Sequence, residues 1–319
     1  MERFVVGTGR CGSTLLSTML SQHRDVVTIN EFLAELDPGR RFRAGAIAGG
    51  SVAHLLGMEQ RVVNEVLARG YAAPEVQYPF GTPQARYEVG GPLPAPLLSA
   101  LPRLADDPDT LFDDLVSYAR SLPAQPMADH YRALFAWLAR YAGGSIWIER
   151  SGASIDYLAD LVDCFPRARF VHIHRDGHEA ALSMRAYPFF RLGMAVIFGL
   201  FPDTDEETAV RHVLETPPPV WVVGRYWSDQ ILHGFRALGS LDRDQYLEVR
   251  FEDLVTQPRP TLERIGNHFH LPSDPAFVER AAALVRGLPA ARFPSLVAGE
   301  QEELRRECRP GQVLLGRAE

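Results

Sequence analysis

A glycine-rich loop near the start of the chain constrains the fold more than any other stretch. The loop reads Gly7-Thr8-Gly9-Arg10-Cys11-Gly12-Ser13-Thr14. Residues 4–6 before it are apolar and predict a buried strand, and the apolar residues after it fall at helical spacing. A strand, a glycine turn and a helix N-terminus together direct backbone N–H groups and the positive helix end at one point, which favours an anion. Because Arg10 adds a positive charge and two hydroxyls follow, the sequence predicts a phosphate or sulfate site.

The loop also fits the spacing of a nucleotide-hydrolase P-loop, with Gly7, four residues and Gly12. In that motif a lysine follows the second glycine, whereas this chain has Ser13, and all 33 of its basic residues are arginines. Since the P-loop lysine reaches the β- and γ-phosphates, ordinary ATP or GTP hydrolysis is not expected.

The same glycines offer a second interpretation as a dinucleotide fingerprint. Gly7, Gly9 and Gly12 match G-x-G-x-x-G, and a predicted second strand ends in Glu31, where a ribose-binding carboxylate would lie. An NAD(P)-dependent oxidoreductase is therefore an alternative function, although it leaves the arginine and hydroxyls of the loop without a role.

Length and charge narrow the class of protein. The 319 residues, 46% hydrophobic and 23% charged, suit one globular domain spanning residues 1–319. The net charge of −7 argues against a general nucleic-acid or membrane-surface role. No apolar run of about 18 residues predicts a spanning helix, and the first strand begins too early to leave room for a signal peptide.

The cysteines and the absence of lysine indicate the expected cellular location and the kind of genome that encodes the chain. Cys11, Cys164 and Cys308 are scattered and indicate neither a disulfide framework nor a metal site. A cytoplasmic location and no metal cofactor are therefore expected. Arginine in place of all lysine, beside abundant Ala, Gly and Pro, is typical of a GC-rich bacterial genome.

Alternating strand and helix patterns predict an α/β fold with a central parallel sheet flanked by helices in three layers, as in P-loop proteins. Strands are predicted at residues 4–6, 26–29, 146–148, 169–174 and 246–249. Helices are predicted at residues 13–23, 52–67, 110–122, 127–141, 154–164, 177–184, 205–214 and 220–238.

Two segments interrupt this regular alternation. Residues 33–145 read as a helical and loop insertion, with a long loop at 71–108, which we expect to shape a substrate pocket. Residues 287–319 read as an irregular tail with a short charged helix near 300–308.

A second candidate anion site follows a later strand. Arg175 leaves the strand at 169–174, and Ser183 lies two turns into the next helix. A bidentate guanidinium and a hydroxyl can grip one phosphate from two sides. Two anion sites on one sheet fit a ligand that is phosphorylated at both ends.

These segments resemble the sulfotransferase family. Residues 9–16 resemble the R-S-G-[ST]-T-L phosphosulfate loop of the tyrosylprotein and bacterial sulfotransferases, in which arginine replaces the lysine of the cytosolic enzymes. Residues 171–183 resemble the family's 3′-phosphate-binding segment, including its arginine-to-serine spacing. Residues 147–151 with 165–170 resemble its central strand–helix–strand, and Val249-Arg250-Phe251-Glu252-Asp253-Leu254-Val255 resembles its R-Y-E-D-L-V strand exit.

The resemblance implies a fold, a donor and a set of binding residues. The donor would be 3′-phosphoadenosine-5′-phosphosulfate, and the product adenosine 3′,5′-bisphosphate, without a metal. Arg175 and Ser183 would hold the 3′-phosphate, and Phe251 would pack on the adenosine, although relatives usually have tyrosine there. No clear counterpart of the family's basic C-terminal loop is found, and Arg292 is a candidate. The 5′-phosphosulfate would be bound by Gly9, Arg10, Cys11, Gly12, Ser13 and Thr14.

The resemblance also implies two catalytic residues. A glutamate follows the phosphosulfate loop of the tyrosylprotein enzymes as general base, and Glu31 stands at the matching distance from Arg10. A carboxylate there could accept the proton that an acceptor hydroxyl loses. Arg10 would offset the charge that grows on the leaving oxygen.

The sequence thus favours a bacterial cytoplasmic sulfotransferase of secondary metabolism that acts on a hydroxyl of a small-molecule acceptor. The dinucleotide-dependent oxidoreductase stays open, as does a non-catalytic protein that keeps the nucleotide pocket for sensing or scaffolding.

Overall fold

The computed structural model describes residues 1–71 and 75–317. Residues 72–74 of the predicted long loop, and residues 318–319 of the predicted tail, lie outside the described part. The strands are β1 (Arg3–Val6), β2 (Val26–Asn30), β3 (Ala46–Ile47), β4 (Gln125–Pro126), β5 (Ile146–Arg150), β6 (Arg169–His174) and β7 (Tyr246–Arg250).

Helices surround the strands and account for most of the remaining chain. They are α1 (Ser13–Leu20), α2 (Phe32–Glu35), α3 (Gly49–Leu56), α4 (Arg61–Ala68), α5 (Ala95–Leu98), α6 (Pro108–Ser121), α7 (Met127–Tyr141), α8 (Leu158–Cys164), α9 (Gly177–Arg185), α10 (Pro188–Phe198), α11 (Glu206–Glu215), α12 (Val220–Leu238), α13 (Phe251–Thr256), α14 (Pro258–His268), α15 (Pro275–Ala282) and α16 (Ala298–Leu314). Short 3₁₀ turns lie at Leu101–Arg103, Ser154–Tyr157 and Phe293–Ser295. No helix in the described ranges is both long and apolar enough to cross a membrane.

Five parallel strands form the main sheet in the order β2-β5-β1-β6-β7. This confirms the predicted parallel α/β fold. All carboxyl ends of parallel strands meet at one edge, where open α/β sheets bind ligands. The glycine-rich loop, Glu31, Arg150, Arg175 and Phe251 therefore share that edge.

Side chains of β1 show how the sheet is covered on both faces. Phe4 and Val6 join one apolar core and Val5 joins another, as expected when successive side chains point to opposite faces. The Val5 side is covered by α1 and α13–α15. The Phe4 side is covered by α8 and by the helices of the 33–145 segment. Strands buried on both faces are typical of parallel sheets.

The helix predicted at 52–67 is wrong as a single helix, because two helices form there. α3 ends at Gly57, and Glu59 then forms an isolated β-bridge with Pro94 that carries the backbone away from the helix axis. The Gln60 side chain accepts a hydrogen bond from the Val63 N–H and caps the start of α4. Similarly, the helix predicted at 154–164 is a 3₁₀ turn followed by α8.

The C-terminal segment is more regular than predicted, because the short helix expected near 300–308 is part of α16, which extends over Ala298–Leu314. Proline normally breaks a helix by removing a hydrogen bond, and Pro310 lies inside α16. Ser228 of α12 satisfies two backbone groups beside this proline. Its hydroxyl donates to the Glu307 carbonyl at 2.6 Å and accepts from the Gly311 N–H at 3.4 Å. Packing against another helix thus stabilises a helix that the local sequence disfavours.

Candidate active site

The loop between β1 and α1 is held in a conformation that requires glycine. Gly12 has φ 97°, and a Cβ there would lie 2.2 Å from the Phe251 ring. A Cβ on Gly9 would lie 2.6 Å from the Phe190 ring. Arg10 itself adopts a left-handed φ of 61°, which is costly for a residue with a Cβ. Rings therefore pack directly on the loop backbone, and this holds the loop against the sheet edge.

A cavity of about 580 Å³ opens above this loop. Nine of the predicted site residues line it, namely Gly9, Arg10, Gly12, Ser13, Thr14, Glu31, Arg175, Ser183 and Phe251. Cys11 is the exception, because its thiol is fully buried beneath the loop and burial raises its pKa. The other predicted site residues thus converge on one cavity, whereas the Cys11 side chain does not reach it.

Arg10 is bound on three sides. Its Nε donates to Ser183 Oγ at 3.2 Å, and its terminal nitrogens donate to Glu75 Oε1 and to the Tyr187 hydroxyl, both at 2.8 Å. The Ser183 contact joins the glycine-rich loop to α9 directly. The two predicted anion sites are therefore contiguous within one cavity.

Arg175 provides a buried positive charge beside Ser183. Its side chain is 10% exposed, and burial lowers its pKa. Its guanidinium lies 5.3 Å from the Phe251 ring centre and 3.8 Å from the Glu179 carboxylate. A buried arginine with one distant counter-ion has hydrogen-bonding capacity left for an anion.

The C-terminal segment reaches the same place. Glu179 accepts hydrogen bonds from the backbone N–H groups of Arg292 and Phe293 at 2.8 and 2.9 Å. The charge of Arg292 contributes to the lowered pKa of Arg175. The structure therefore places Arg292, the candidate from the sequence, beside the predicted 3′-phosphate residues.

Arg317 ties the end of the chain to the sheet edge. It donates to His174 Nδ1 at 2.9 Å and to Glu252 at 2.6 Å. Glu252 in turn accepts from the backbone N–H of Asp176 at 3.0 Å. These bonds fix the strand end from which Arg175 emerges, and no sequence pattern indicated them.

Glu31 is the single residue between β2 and α2, and it caps α2 in a left-handed conformation with φ 58°. Its carboxylate forms an ion pair with Arg150 and accepts from the Gly152 N–H at 2.7 Å. The Arg150 side chain is 3% exposed and also donates to Thr14 Oγ1 at 3.1 Å. One guanidinium therefore connects Glu31 with the glycine-rich loop.

Sequence reasoning missed Arg150 as a functional residue. The β2–β5 register places Arg150 opposite Asn30, next to Glu31, and its Nε donates to Asn30 Oδ1 at 3.2 Å. The sequence did show an arginine at the end of a predicted buried strand, and the same pattern identified Arg175 as a candidate. What could not be read from the sequence was that β5 lies between β1 and β2.

Glu149 is buried behind this site. Burial raises the pKa of Glu149 to about 8, while hydrogen bonds from the Ser151 hydroxyl and the Leu33 N–H act in the opposite direction. Ser151 also accepts from the Ala34 N–H at 3.2 Å. Glu149 and Ser151 therefore anchor the first turn of α2, which carries Glu31.

The strand order also bears on the dinucleotide alternative. In the dinucleotide-binding fold the second strand lies directly beside the first. Here β5 separates β2 from β1, and the Glu31 carboxylate is occupied by Arg150 and Gly152. This arrangement does not fit a ribose-binding glutamate.

The structure is similar to several solved sulfotransferases. The structure superimposes on the sulfotransferase domain from the curacin biosynthetic pathway with a TM-score of 0.51 and 14% identity, covering 99% of this chain and 98% of that one. For the sulfotransferase domain of the Synechococcus PCC 7002 olefin synthase the TM-score is 0.48 at 16% identity, covering 97% and 93% of the two chains. For a Mycobacterium avium sulfotransferase it is 0.46 at 16% identity, covering 98% and 76%. No curated protein sequence matches the chain.

A sequence-family model gives the decisive comparison. It matches residues 105–275, more than half of the chain, and is described as the Sulfotransferase family. The matched stretch contains Arg150, Arg175, Ser183 and Phe251, whereas the glycine-rich loop and Glu31 lie before it. On this match and the shared fold, the chain belongs to the sulfotransferase family.

Proposed function

We propose that this protein transfers a sulfuryl group from 3′-phosphoadenosine-5′-phosphosulfate to a hydroxyl of a small-molecule acceptor. The observation that carries the proposal is the Arg150 guanidinium, which contacts both Thr14 of the loop and the Glu31 carboxylate. A candidate base and a candidate phosphosulfate cradle are thereby held by one buried cation.

The donor set suits a nucleotide with phosphate at both ends. The backbone from Gly9 to Thr14 and the start of α1 would hold the 5′-phosphosulfate. Arg175 and Ser183 would hold the 3′-phosphate, and Phe251 would pack on the adenosine. The support is that these groups face one cavity and that the Arg10–Ser183 hydrogen bond connects its two parts. No cluster of metal-ligating side chains occurs in the part of the chain that the structure describes, and the proposed reaction needs none.

The donor supplies an activated sulfuryl group on a phosphate leaving group. In the proposed step the acceptor oxygen forms a bond to sulfur and the sulfur–oxygen bond to the 5′-phosphate breaks. Glu31 takes the acceptor's hydroxyl proton, since a carboxylate has about four lone-pair positions and the contacts with Arg150 and Gly152 occupy two of them. Arg10 and Arg150 offset the negative charge that grows on the bridging oxygen.

We also propose that the enzyme works in a bacterial cytoplasm, in secondary metabolism. The support is compositional: the chain uses arginine for every basic residue, and Cys11, Cys164 and Cys308 are all unpaired thiols.

The first test is nucleotide binding. A thermal-shift comparison of adenosine 3′,5′-bisphosphate, NAD and ATP should show stabilisation by the bisphosphate. Preference for NAD would contradict the proposal and restore the oxidoreductase interpretation.

The second test separates catalysis from binding. Glu31→Gln should bind the bisphosphate like the parent protein but lose about 10²- to 10⁴-fold in transfer of radiolabelled sulfate, the usual contribution of a general base. Full activity in this variant would defeat the assignment of the base. A parent protein that binds the bisphosphate yet transfers sulfate to no acceptor would instead favour the non-catalytic alternative.

A further inference from the structure

Arginines line the cavity in excess of those needed for the donor. Among the described residues five arginines line it: Arg10, Arg41, Arg103, Arg150 and Arg175. The proposed function uses three of them at the phosphosulfate loop, at the base and at the 3′-phosphate. Arg41 and Arg103 are left over, and both lie in the 33–145 segment.

Arg41 follows α2 and lies over an aromatic ring. Its guanidinium is 3.9 Å from the centre of the Tyr157 ring, and one terminal nitrogen donates to the Leu33 carbonyl at 3.2 Å. Its Nε is buried without a hydrogen-bond partner, and no carboxylate of the described residues lies within ion-pair distance of it. A buried donor without a partner is costly, so this nitrogen is suited to an acceptor atom from outside the chain.

Arg103 ends the 3₁₀ turn that follows α5, and its side chain is exposed at the cavity. It has no hydrogen bond or ion pair within the described ranges. Partial burial and the charge of Arg150 lower the pKa of Arg103, and three nearby glutamates, Glu31, Glu35 and Glu75, act in the opposite direction. Two of these are already paired, Glu31 with Arg150 and Glu75 with Arg10.

The third glutamate, Glu35, does not balance this charge. Its Oε2 is shielded from solvent and has no hydrogen-bond partner among the described residues, even though the residue as a whole is partly exposed. Burial raises the pKa of Glu35 well above its usual range, with the charge of Glu31 adding to the effect. No ion pair joins Glu35 to Arg103, so the Arg103 guanidinium has no carboxylate partner within the described ranges.

Independent evidence comes from buried polar atoms that line the same cavity. In the described part of the chain the Tyr157 hydroxyl and both amide atoms of Gln230 have no hydrogen-bond partner within 3.5 Å, and these residues are 8% and 2% exposed. Ser151 lies near Tyr157, and Tyr226 lies near Gln230, but neither pair forms a well-formed hydrogen bond. Burial raises the pKa of Tyr157, so its hydroxyl remains a donor. Buried polar groups are normally satisfied, and their absence of partners indicates that a ligand supplies them.

The unused groups are mostly donors: two guanidiniums, a phenol and an amide NH₂. Carboxylates and phosphates offer only acceptor oxygens when ionised, and arginine binds both with paired hydrogen bonds. Apolar residues also line the cavity, among them Val63, Val66, Leu98 and Phe189. Both features suit an amphipathic molecule with an anionic end.

We propose that the acceptor carries an anionic group, a carboxylate or a phosphate monoester, besides the hydroxyl that becomes sulfated, and that Arg41 and Arg103 bind this group. This inference rests on the proposed function, because it assigns these residues to the acceptor of the sulfuryl transfer. Tyr157 and Gln230 position the same end of the molecule through neutral hydrogen bonds.

The test uses three phenols that differ in one group. They are 3-(4-hydroxyphenyl)propanoate, 2-(4-hydroxyphenyl)ethyl phosphate and the neutral 3-(4-hydroxyphenyl)propanamide. Titration calorimetry is carried out on protein saturated with adenosine 3′,5′-bisphosphate, so that Arg10 and Arg175 are occupied. At least one anionic probe should bind about tenfold more tightly than the amide, the size expected of a charge-assisted hydrogen bond. The relative affinities of the two anionic probes distinguish carboxylate from phosphate.

Variants of the two arginines test which residues cause the preference for the anionic probe. Arg103→Gln and Arg41→Gln should each remove most of the preference for the anionic probe, whereas Arg41→Lys keeps the charge and should retain part of it. Arg43→Gln is the matched control, because Arg43 is exposed on the same loop and does not line this cavity. Bisphosphate binding should be unchanged in all four variants and reports correct folding.

Different outcomes overturn the anionic-acceptor proposal and the proposed sulfotransferase function. If the bisphosphate binds but the amide binds as well as the anions, or neither anion binds, the anionic-acceptor proposal is overturned and the proposed function is untouched. A preference that survives in both Arg41→Gln and Arg103→Gln also overturns it. If the bisphosphate itself does not bind, the proposed function fails first.

Discussion

The donor and acceptor sides of the cavity differ in how far their polar groups are already satisfied. On the donor side, Arg10 has three partners and Arg150 bridges Glu31 and Thr14, while Arg175 keeps hydrogen-bonding capacity for the 3′-phosphate. On the acceptor side, Arg41, Tyr157 and Gln230 have buried polar atoms without partners in the described residues. A preorganised donor side suits one invariant ligand, whereas an unsatisfied acceptor side leaves the choice of substrate to a few side chains. The difference indicates that chemistry and specificity are separable in this protein.

Replacing Arg150 is the strongest test of this difference between the donor and acceptor sides, because Arg150 belongs to both sides of the cavity. We expect Arg150→Gln to lower kcat about 10²- to 10³-fold, as when one transition-state donor is removed. It also leaves Glu31 without its buried counter-ion, and breaking a buried pair costs about 3–5 kcal/mol. Steady-state kinetics and urea unfolding measure the two effects.

A double variant provides the control for Arg150. Because Glu31→Gln removes the charge that Arg150→Gln leaves unpaired, the two losses of stability should not add. Additive losses would show that the ion pair does not contribute to the folded state. Activity should be low in both single variants and in the double variant.

Gly12→Ala tests the donor side alone. The new Cβ would lie 2.2 Å from the Phe251 ring at a φ of 97°, and such strain costs about 1–3 kcal/mol. We expect bisphosphate binding to weaken about tenfold to hundredfold, if that strain is relieved by moving the loop. The measurement is titration with the bisphosphate.

Gly266→Ala is the matched control for Gly12→Ala. A Cβ on Gly266 meets no atom within 4 Å inside α14, so alanine should stabilise the protein slightly through its higher helix propensity. Equal binding losses in the two variants would contradict the argument that the loop conformation requires Gly12.

From the buried carboxyl of Glu149 we predict how the stability of the folded protein depends on pH. Burial raises the folded-state pKa of Glu149 from 4.5 to about 8. Because the pKa of this carboxyl is higher in the folded state, the unfolded state releases the proton first as the pH rises. The contribution of Glu149 to the stability of the folded protein is therefore full below about pH 4.5 and is lost as the pH rises toward 8. Glu149→Gln cannot ionise, so chemical denaturation between pH 5 and 8 should show a smaller loss of stability in the variant. A parallel loss in both proteins would contradict a raised pKa.

The smallest effect is expected at Phe251, where the sequence resemblance implies a tyrosine in the family. Phe251→Tyr adds a hydroxyl to a ring that already contacts Gly12 and faces Arg175. If the ring packs on adenosine, bisphosphate affinity should rise by a few-fold at most, in line with one neutral hydrogen bond. Weaker binding would show that the ring position leaves no room for the hydroxyl.

Local patterns predicted the parts of the fold that depend on neighbouring residues. Helices α7 and α12 and strand β6 have the predicted bounds, because their apolar periodicity is long and uninterrupted. The position of the glycine-rich loop and the convergence of Arg175 and Ser183 on it also followed from strand ends meeting at one edge. The catalytic and binding roles of these residues remain predictions.

Features that depend on contacts between distant segments were not predictable. Arg150 reaches Glu31 only because β5 pairs with β2, and α16 continues past Pro310 only because Ser228 satisfies its backbone. The unpaired state of Arg41 and Arg103 depends on where every nearby carboxylate lies. None of this leaves a signal in the periodicity or spacing of the sequence.

The position of β5 has a consequence for the size of the reaction chamber. Adjacent strands lie about 4.8 Å apart, so one intervening strand sets the ends of β1 and β2 about 10 Å apart. Direct pairing of β1 with β2 would halve that separation and bring the carboxylate against the anion cradle. In this fold β5 acts as a spacer one strand wide, and its terminal arginine spans the gap that it creates.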